Sequence, residues 1–192
     1  LMGSTALLKQ TFYDAKWYAD ASRLNERLET NLSLEALNAQ QNLPVFFEAG
    51  GWEDALRADA VATEVGQDFI FVAGNNAYQR LDELTAINAT LVLSLDYPKA
   101  YNVSDPYTSR FIGLNELKHW ELAPANAARV HAAQIPFALT SDGLGSAKEM
   151  RSAVWTAIRH GLPESAALAA LTEVPARLIG AEDRVGSIAP GL

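Results

Sequence analysis

Three histidines, no cysteine and 23 acidic residues against 15 basic ones leave this chain a short list of groups able to do chemistry. The first candidate is Asp142, near the end of the run Ile135-Pro-Phe-Ala-Leu-Thr-Ser-Asp-Gly-Leu144. Phe137 to Leu139 is continuously apolar, as in a parallel strand buried on both faces, and Thr-Ser-Asp-Gly turns it into an amphipathic segment. Asp142 then stands at the strand's carboxyl end, where the loops of open parallel sheets and barrels converge on ligands. The same Asp-Gly pair also suits a plain turn, Asp for its local hydrogen bonds and Gly for a positive φ.

Three further residues have two readings each. Glu48 closes the apolar run that begins at Leu43; its carboxylate suits a hard metal, and equally the N–H groups of a helix starting near Trp52. Asn75 follows the run Asp68 to Ala73 and reads as a substrate contact or as a helix cap. His119, in Lys118-His119-Trp120-Glu121, follows a long irregular stretch and suits a metal or substrate contact, or stacking within a loop. His131 and His160 read as structural, the latter in a helix's last turn, where a cation complements the dipole. No His-x-His or His-Glu-x-x-His spacing occurs. Gly50-Gly51 and Gly143-x-Gly145 lack the phosphate-loop lysine and the dinucleotide spacing, and there is no Gly-x-Ser-x-Gly elbow.

The elements that must hold these residues alternate. Helical segments are expected from Ser4 to about Arg27 and from a Ser33 cap to Gln41. A strand from Leu43 to Glu48 follows, with Pro44 tolerated at its start. A helix from Trp52 to Val65 ends at Gly66. Strands at Asp68–Ala73 and Ala89–Leu95 flank a helix running to about Ala86. Asp96 to Gly113 is irregular, and its Asp96–Tyr107 part reads as a substrate lid or as an ordinary packed loop. Helices are expected from an Asn115 cap to Leu122 and from Pro124 to about Ala133. Two more follow the last strand, Ala147 to His160 and Pro163 to Gly180. Four strands alternating with helices predict βαβ units and a parallel α/β sheet in one domain.

Composition narrows the partners. A formal net charge of -8 excludes a nucleic-acid footprint, which needs clustered Lys and Arg. No apolar run reaches the ~20 residues that span a bilayer, and the amino end shows no basic region, apolar core and cleavage site. The absence of Cys leaves the redox compartment open.

One composite pattern goes further. Gly161-Leu162, Ala166-Ala167-Leu168, Thr172-x-x-Pro175-Ala176, Gly180 and Gly186-Ser187-Ile188-x-Pro190-Gly191 together resemble the closing helix of metal-dependent amidohydrolases, in their imidazolonepropionase and prolidase-like branch. Asp68 to Gly74 is similar to the sixth strand of that family's (β/α)8 barrel, Leu91 to Leu95 to the seventh, and Phe137 to Asp142 to the eighth with its terminal aspartate. The resemblance implies strands 5–8 of a TIM barrel, a fragment of one partial domain over 1–192, with a helical lead-in at 1–42 and four βα units and a closing helix at 43–192. The opening at Leu1 and the stop at Gly191-Leu192 agree with a fragment, so an upstream leader would not be visible.

In that family, ligands from several strands hold one or two divalent ions, zinc by preference, and the eighth-strand aspartate takes a proton from the activated water. Carried over, this makes Asp142 general base and metal ligand. Glu48 stands at the fifth-strand histidine position and Ala73 at the sixth; neither is the expected ligand. Two functions follow: a hydrolase of C–N bonds in small non-peptide or dipeptide substrates, inactive as this chain alone, or a degenerate metal-free barrel acting as a binding or structural module. A free-standing α/β module is a third reading. A half barrel exposes strand edges and an apolar face, so self-association or a partner supplying the missing half is expected.

Overall fold

The computed structural model describes residues 2–24 and 29–188. Arg27, Pro190, Gly191 and the two terminal leucines, on which parts of the expected pattern fall, lie outside the described residues. Helix α1 (Met2–Arg23) and helix α2 (Leu32–Ala39) lead into strand β1 (Val45–Glu48). Asn31, not Ser33, caps α2, its side chain accepting the Leu34 N–H at 3.1 Å. Helix α3 (Trp52–Val65), β2 (Phe69–Ala73), α4 (Leu81–Ala86) and β3 (Thr90–Ser94) follow. After a long connection come α5 (Leu114–Leu122), α6 (Asn126–Ala132), β4 (Phe137–Thr140), α7 (Ala147–Arg159), α8 (Glu164–Leu171) and α9 (Glu173–Leu178).

Three expected helices are broken. The segment after β2 is a 3-10 turn at Ala77–Gln79 followed by α4, and a 3-10 turn at Ala123–Ala125 precedes α6. The last helix divides at Thr172 into α8 and α9. The helix ends share one device. After α3, α4 and α6 a residue in the left-handed region (Gly66, Asn88, Gln134) precedes an N–H that reaches back to the helix: Gln67 to Ala62 O at 2.9 Å, Ala89 to Leu84 O at 3.0 Å, Ile135 to Val130 O at 3.3 Å. Each bond closes the last turn and releases the chain directly into the next strand.

The four strands are all parallel and their spatial order is their chain order, β1-β2-β3-β4. Parallel crossovers share one hand, so stepping in one direction puts every connecting helix on the same face. The burial agrees. Phe69, Phe71 and Ala73 from β2, Leu91 and Leu93 from β3, and Phe137 and Leu139 from β4 pack with Ala55, Ala58 and Ala62 of α3, Leu84 of α4, Val130 of α6, Ala157 of α7 and Ala170 of α8. Alanines on the inner helix faces let the helices sit close to the larger sheet residues. Phe47 joins this side, stacked on Phe69 with centroids 5.2 Å apart.

The alternate residues form the opposite face, Phe46 and Glu48, Ile70 and Val72, Thr90, Val92 and Ser94, Ala138 and Thr140. Among the described residues no helix packs across it, and Phe46 is 45% exposed there, although Ala138 at the other edge is buried. Sequence alternation is weak because both faces carry apolar residues, which is why these strands read as buried on both sides.

Helix α1 lies along the outside of α3, pinned at Glu64 by Lys9 and by the Tyr13 hydroxyl at 2.9 Å. Those contacts hold the Glu64 carboxyl below the usual carboxylate range, the Lys9 hydrogen bond foremost. Because Leu93 is fully buried at the centre of the helical face, Leu93→Ala is expected to cost about 2–5 kcal/mol, transfer and cavity terms together. Urea unfolding measures it, and a loss under about 1 kcal/mol would contradict this packing.

Candidate functional site

The carboxyl ends of all four strands open into one cavity of about 490 Å³, lined by Glu48, Gly50, Val72, Gly74, Ser94, Asp96, Thr140, Asp142 and Gly143. A larger hollow of about 740 Å³ lies at the amino ends, around Gln67, Asp68 and Asn88. In parallel α/β folds that end bears on stability, and the carboxyl end bears on chemistry.

Side chains stitch each carboxyl-end loop to the next. Asn76 Oδ1 accepts the Trp52 N–H at 3.2 Å, capping α3 from the neighbouring loop. Gly51 makes room for it, since a Cβ there would lie 2.5 Å from Asn76 Nδ2. Asn75 Nδ2 donates to Asp96 O at 2.6 Å, and Ser94 Oγ donates to Asp142 O at 3.1 Å. The loops after β1, β2, β3 and β4 therefore form a continuous hydrogen-bonded rim.

Asp142 is in the cavity wall. Its N–H donates to Thr140 Oγ1 at 3.2 Å, and the Leu144 N–H, which an aspartate at 142 could accept in a turn of its own, donates to Ser141 O at 3.0 Å instead. The Asp142 carboxylate makes no hydrogen bond or ion pair among the described residues. A carboxylate that serves only the turn would be spent on it; this one faces the cavity unengaged.

Glu48 also lines the cavity, exposed on the uncovered face of β1. It does not cap α3, because Asn76 takes the Trp52 N–H. Asn75 does not cap a helix; its side chain bridges to Asp96 O. Ala73 faces the helices, 4% exposed. Val72, Ala73 and Gly74, at and just after the end of β2, all line the cavity, and none is a ligand by side chain.

His119 does not line the cavity. Its Nδ1 is 3.2 Å from the Tyr78 hydroxyl, with the two rings stacked 6.1 Å apart, and burial lowers its pKa. Arg129 lies over the Tyr78 ring, Gln79 bonds the same hydroxyl at 3.4 Å, and Trp52 Nε1 donates to Gln79 Oε1 at 3.1 Å. His119 thus belongs to an outer polar-aromatic layer behind the rim. The connection after β3 packs through Tyr97, whose hydroxyl reaches Ala153 O at 3.4 Å; burial raises its pKa strongly.

Asp96 is the functional candidate that sequence reasoning passed over. It lies in the cavity wall with its carboxylate unpartnered among the described residues, and its N–H donates to Ser94 Oγ at 3.1 Å. A signal was present. Leu93-Ser-Leu-Asp96 and Leu139-Thr-Ser-Asp142 are the same Leu-Ser/Thr-x-Asp pattern at the ends of adjacent strands, with Ser94 opposite Thr140 in register.

Among the described residues, no three His, Cys, Asp or Glu side chains come together to hold a metal ion. Glu48, Asp96 and Asp142 share one cavity wall but do not form such a group, so these residues alone do not fit a metal centre.

Among solved structures the chain is similar to an amidohydrolase from Thermotoga maritima, at 26% identity and a TM-score of 0.75, over 99% of this chain and 48% of that one. The chain thus spans about half the length of that neighbour. An uncharacterized protein matches at 19% identity and a TM-score of 0.49, over 82% of this chain and 37% of its own length. No protein-family model and no curated protein matches. The Thermotoga likeness supports the amidohydrolase superfamily, and the four-stranded parallel sheet matches a partial amidohydrolase domain. No helix among the described residues is long and apolar enough to cross a membrane.

Proposed function

We propose that this chain is the half of an amidohydrolase-like (β/α)8 barrel that carries strands five to eight, of the imidazolonepropionase and prolidase-like branch. Its parent then hydrolyses C–N bonds in small non-peptide or dipeptide substrates. One observation supports this above the others: Asp142 presents an unengaged carboxylate to a cavity at the carboxyl ends of four sequentially ordered parallel strands. Coverage of about half of an amidohydrolase agrees with it.

In this reading Asp142 is the general base. Its carboxylate takes a proton from water as the water oxygen bonds to the amide carbon, and returns the proton to the leaving nitrogen as the C–N bond breaks. Glu48 and Asp96 face the same space, and Asn75 acts on substrate only through the loop it holds. His119 supports the rim from behind. A divalent ion, zinc by the resemblance, would be held by the complete barrel and would supply an activated water. The small-molecule substrate sits between this cavity and the half that closes it.

A second reading, a metal-free barrel that binds without catalysing, is favoured by Glu48 and Ala73 standing where the resemblance expects histidines. Hydrolysis separates the two. Protein carrying both halves is tested on a panel of N-acyl amino acids and small dipeptides, with released amine as readout. The first reading expects turnover, a fall of about 10²–10⁴-fold in kcat for Asp142→Asn, and none from the 192-residue chain. Turnover indifferent to Asp142→Asn sinks the catalytic assignment, and none from the complete barrel favours the binding module.

The uncovered face and the free edges of β1 and β4 make the chain alone self-associate or bind the other half. Sedimentation at micromolar concentration should show species larger than a monomer, reduced by Phe46→Asp. A monodisperse monomer would count against the half-barrel proposal.

A further inference from the structure

Two adjacent strands end in one pattern, but their hydroxyls do different work. Among the described residues Thr140 Oγ1 only accepts, from the Asp142 N–H at 3.2 Å. Ser94 Oγ accepts the Asp96 N–H at 3.1 Å and spends its single proton on the Asp142 carbonyl oxygen, also at 3.1 Å. The backbone of Asp142 is therefore held at its N–H by its own strand and at its C=O by the neighbouring one. The backbone of Asp96 is held at its N–H by Ser94 and at its C=O by Asn75, at 2.6 Å.

Gly143 lets the two loops close to this distance. Its φ is +83°, and a Cβ there would meet Asp96 Oδ2 at 2.7 Å and Asp96 Cβ at 2.8 Å. Both carboxylates remain unpartnered among the described residues while the peptide groups beneath them are fixed. Such an arrangement fixes where the acids sit and leaves their oxygens for a ligand.

We propose that Ser94 is the positioning residue of this cavity, its one hydroxyl fastening the Asp142 loop to the Asp96 loop so that the two carboxylates face the same ligand. The inference rests on the hydrolase reading for its purpose, since that reading makes Asp142 the base. Its test needs no turnover, so the two can fail separately.

The test is isotope-edited NMR of the full 192-residue chain with Ser94→Ala and Ser94→Thr. In Ser94→Ala the Asp142 carbonyl carbon resonance should move and the Asp96 amide should exchange at least about tenfold faster, the loss of one hydrogen bond. Ser94→Thr keeps the hydroxyl and should restore both. The Leu91 amide, bonded to Pro136 O at 3.0 Å within the sheet, should be unchanged in either variant and reports general loosening. Unchanged Asp142 and Asp96 signals in Ser94→Ala, or no restoration by threonine, would overturn the proposal. If Ser94→Ala does not fold, the unsubstituted chain decides. Asp96 amide exchange at least about tenfold slower than in an unstructured peptide supports the bond, and exchange at the unstructured rate refutes it. Loss of the hydrolase reading through Asp142→Asn would leave these Ser94 signals where they are.

Discussion

Everything in this molecule depends on four parallel strands laid side by side in chain order. A parallel sheet cannot be connected by hairpins, so each step needs a crossover, and crossovers of one hand travelling in one direction fall on one face. That face acquires the core of Leu91, Leu93, Phe71 and Phe137 against small helical residues. The other face, with Phe46, Ile70, Val72 and Val92, has no layer of its own among the described residues. The same constraint delivers all four strand ends to one rim, where a cavity forms.

At that rim, function and structure are divided between residue types. Amides and hydroxyls do the holding: Asn76 to the start of α3, Asn75 to Asp96, Ser94 to Asp142, Thr140 to Asp142. The acids are left over. Aspartates at such positions commonly bond their own turns, but here a Ser or Thr two residues before Asp96 and Asp142 accepts each one's N–H, and neither carboxylate bonds a turn N–H among the described residues. Relieved of a structural task, the two carboxylates are left at the cavity wall. This is the physical ground for reading Asp142 as more than a turn residue.

The strands were legible because their apolar runs are short and bounded by Gly, Asn and Pro; all four lie where the pattern put them. The end of α3 at Gly66 was legible for the same reason. The ends of α4 and α6 fall at Ala86 and Ala132, where the pattern put them, but the residues that close them, Asn88 and Gln134, take the left-handed conformation without being glycine and were not signalled. The breaks at Arg80 and Thr172 were hidden as well, because each divides a segment whose composition is helical throughout. Within the site, Asp142 and Glu48 were visible as acids at strand ends. Asp96 was hidden because it also opens the long polar connection, and only comparison of the β3 and β4 endings exposes the repeat. His119 was read as a possible site residue from its neighbours in sequence, but its place was fixed by a stacking partner 41 positions away, Tyr78, which no local pattern announces.

On the proposed function a small molecule binds in the carboxyl-end cavity. The most direct measurement is amide chemical-shift mapping of the labelled chain titrated with millimolar N-acetyl amino acids and dipeptides. Shifts should concentrate at Gly50, Gly74, Asp96, Asp142 and Gly143. Shifts confined to the opposite end of the sheet, at Gln67, Asp68 and Asn88, would contradict it.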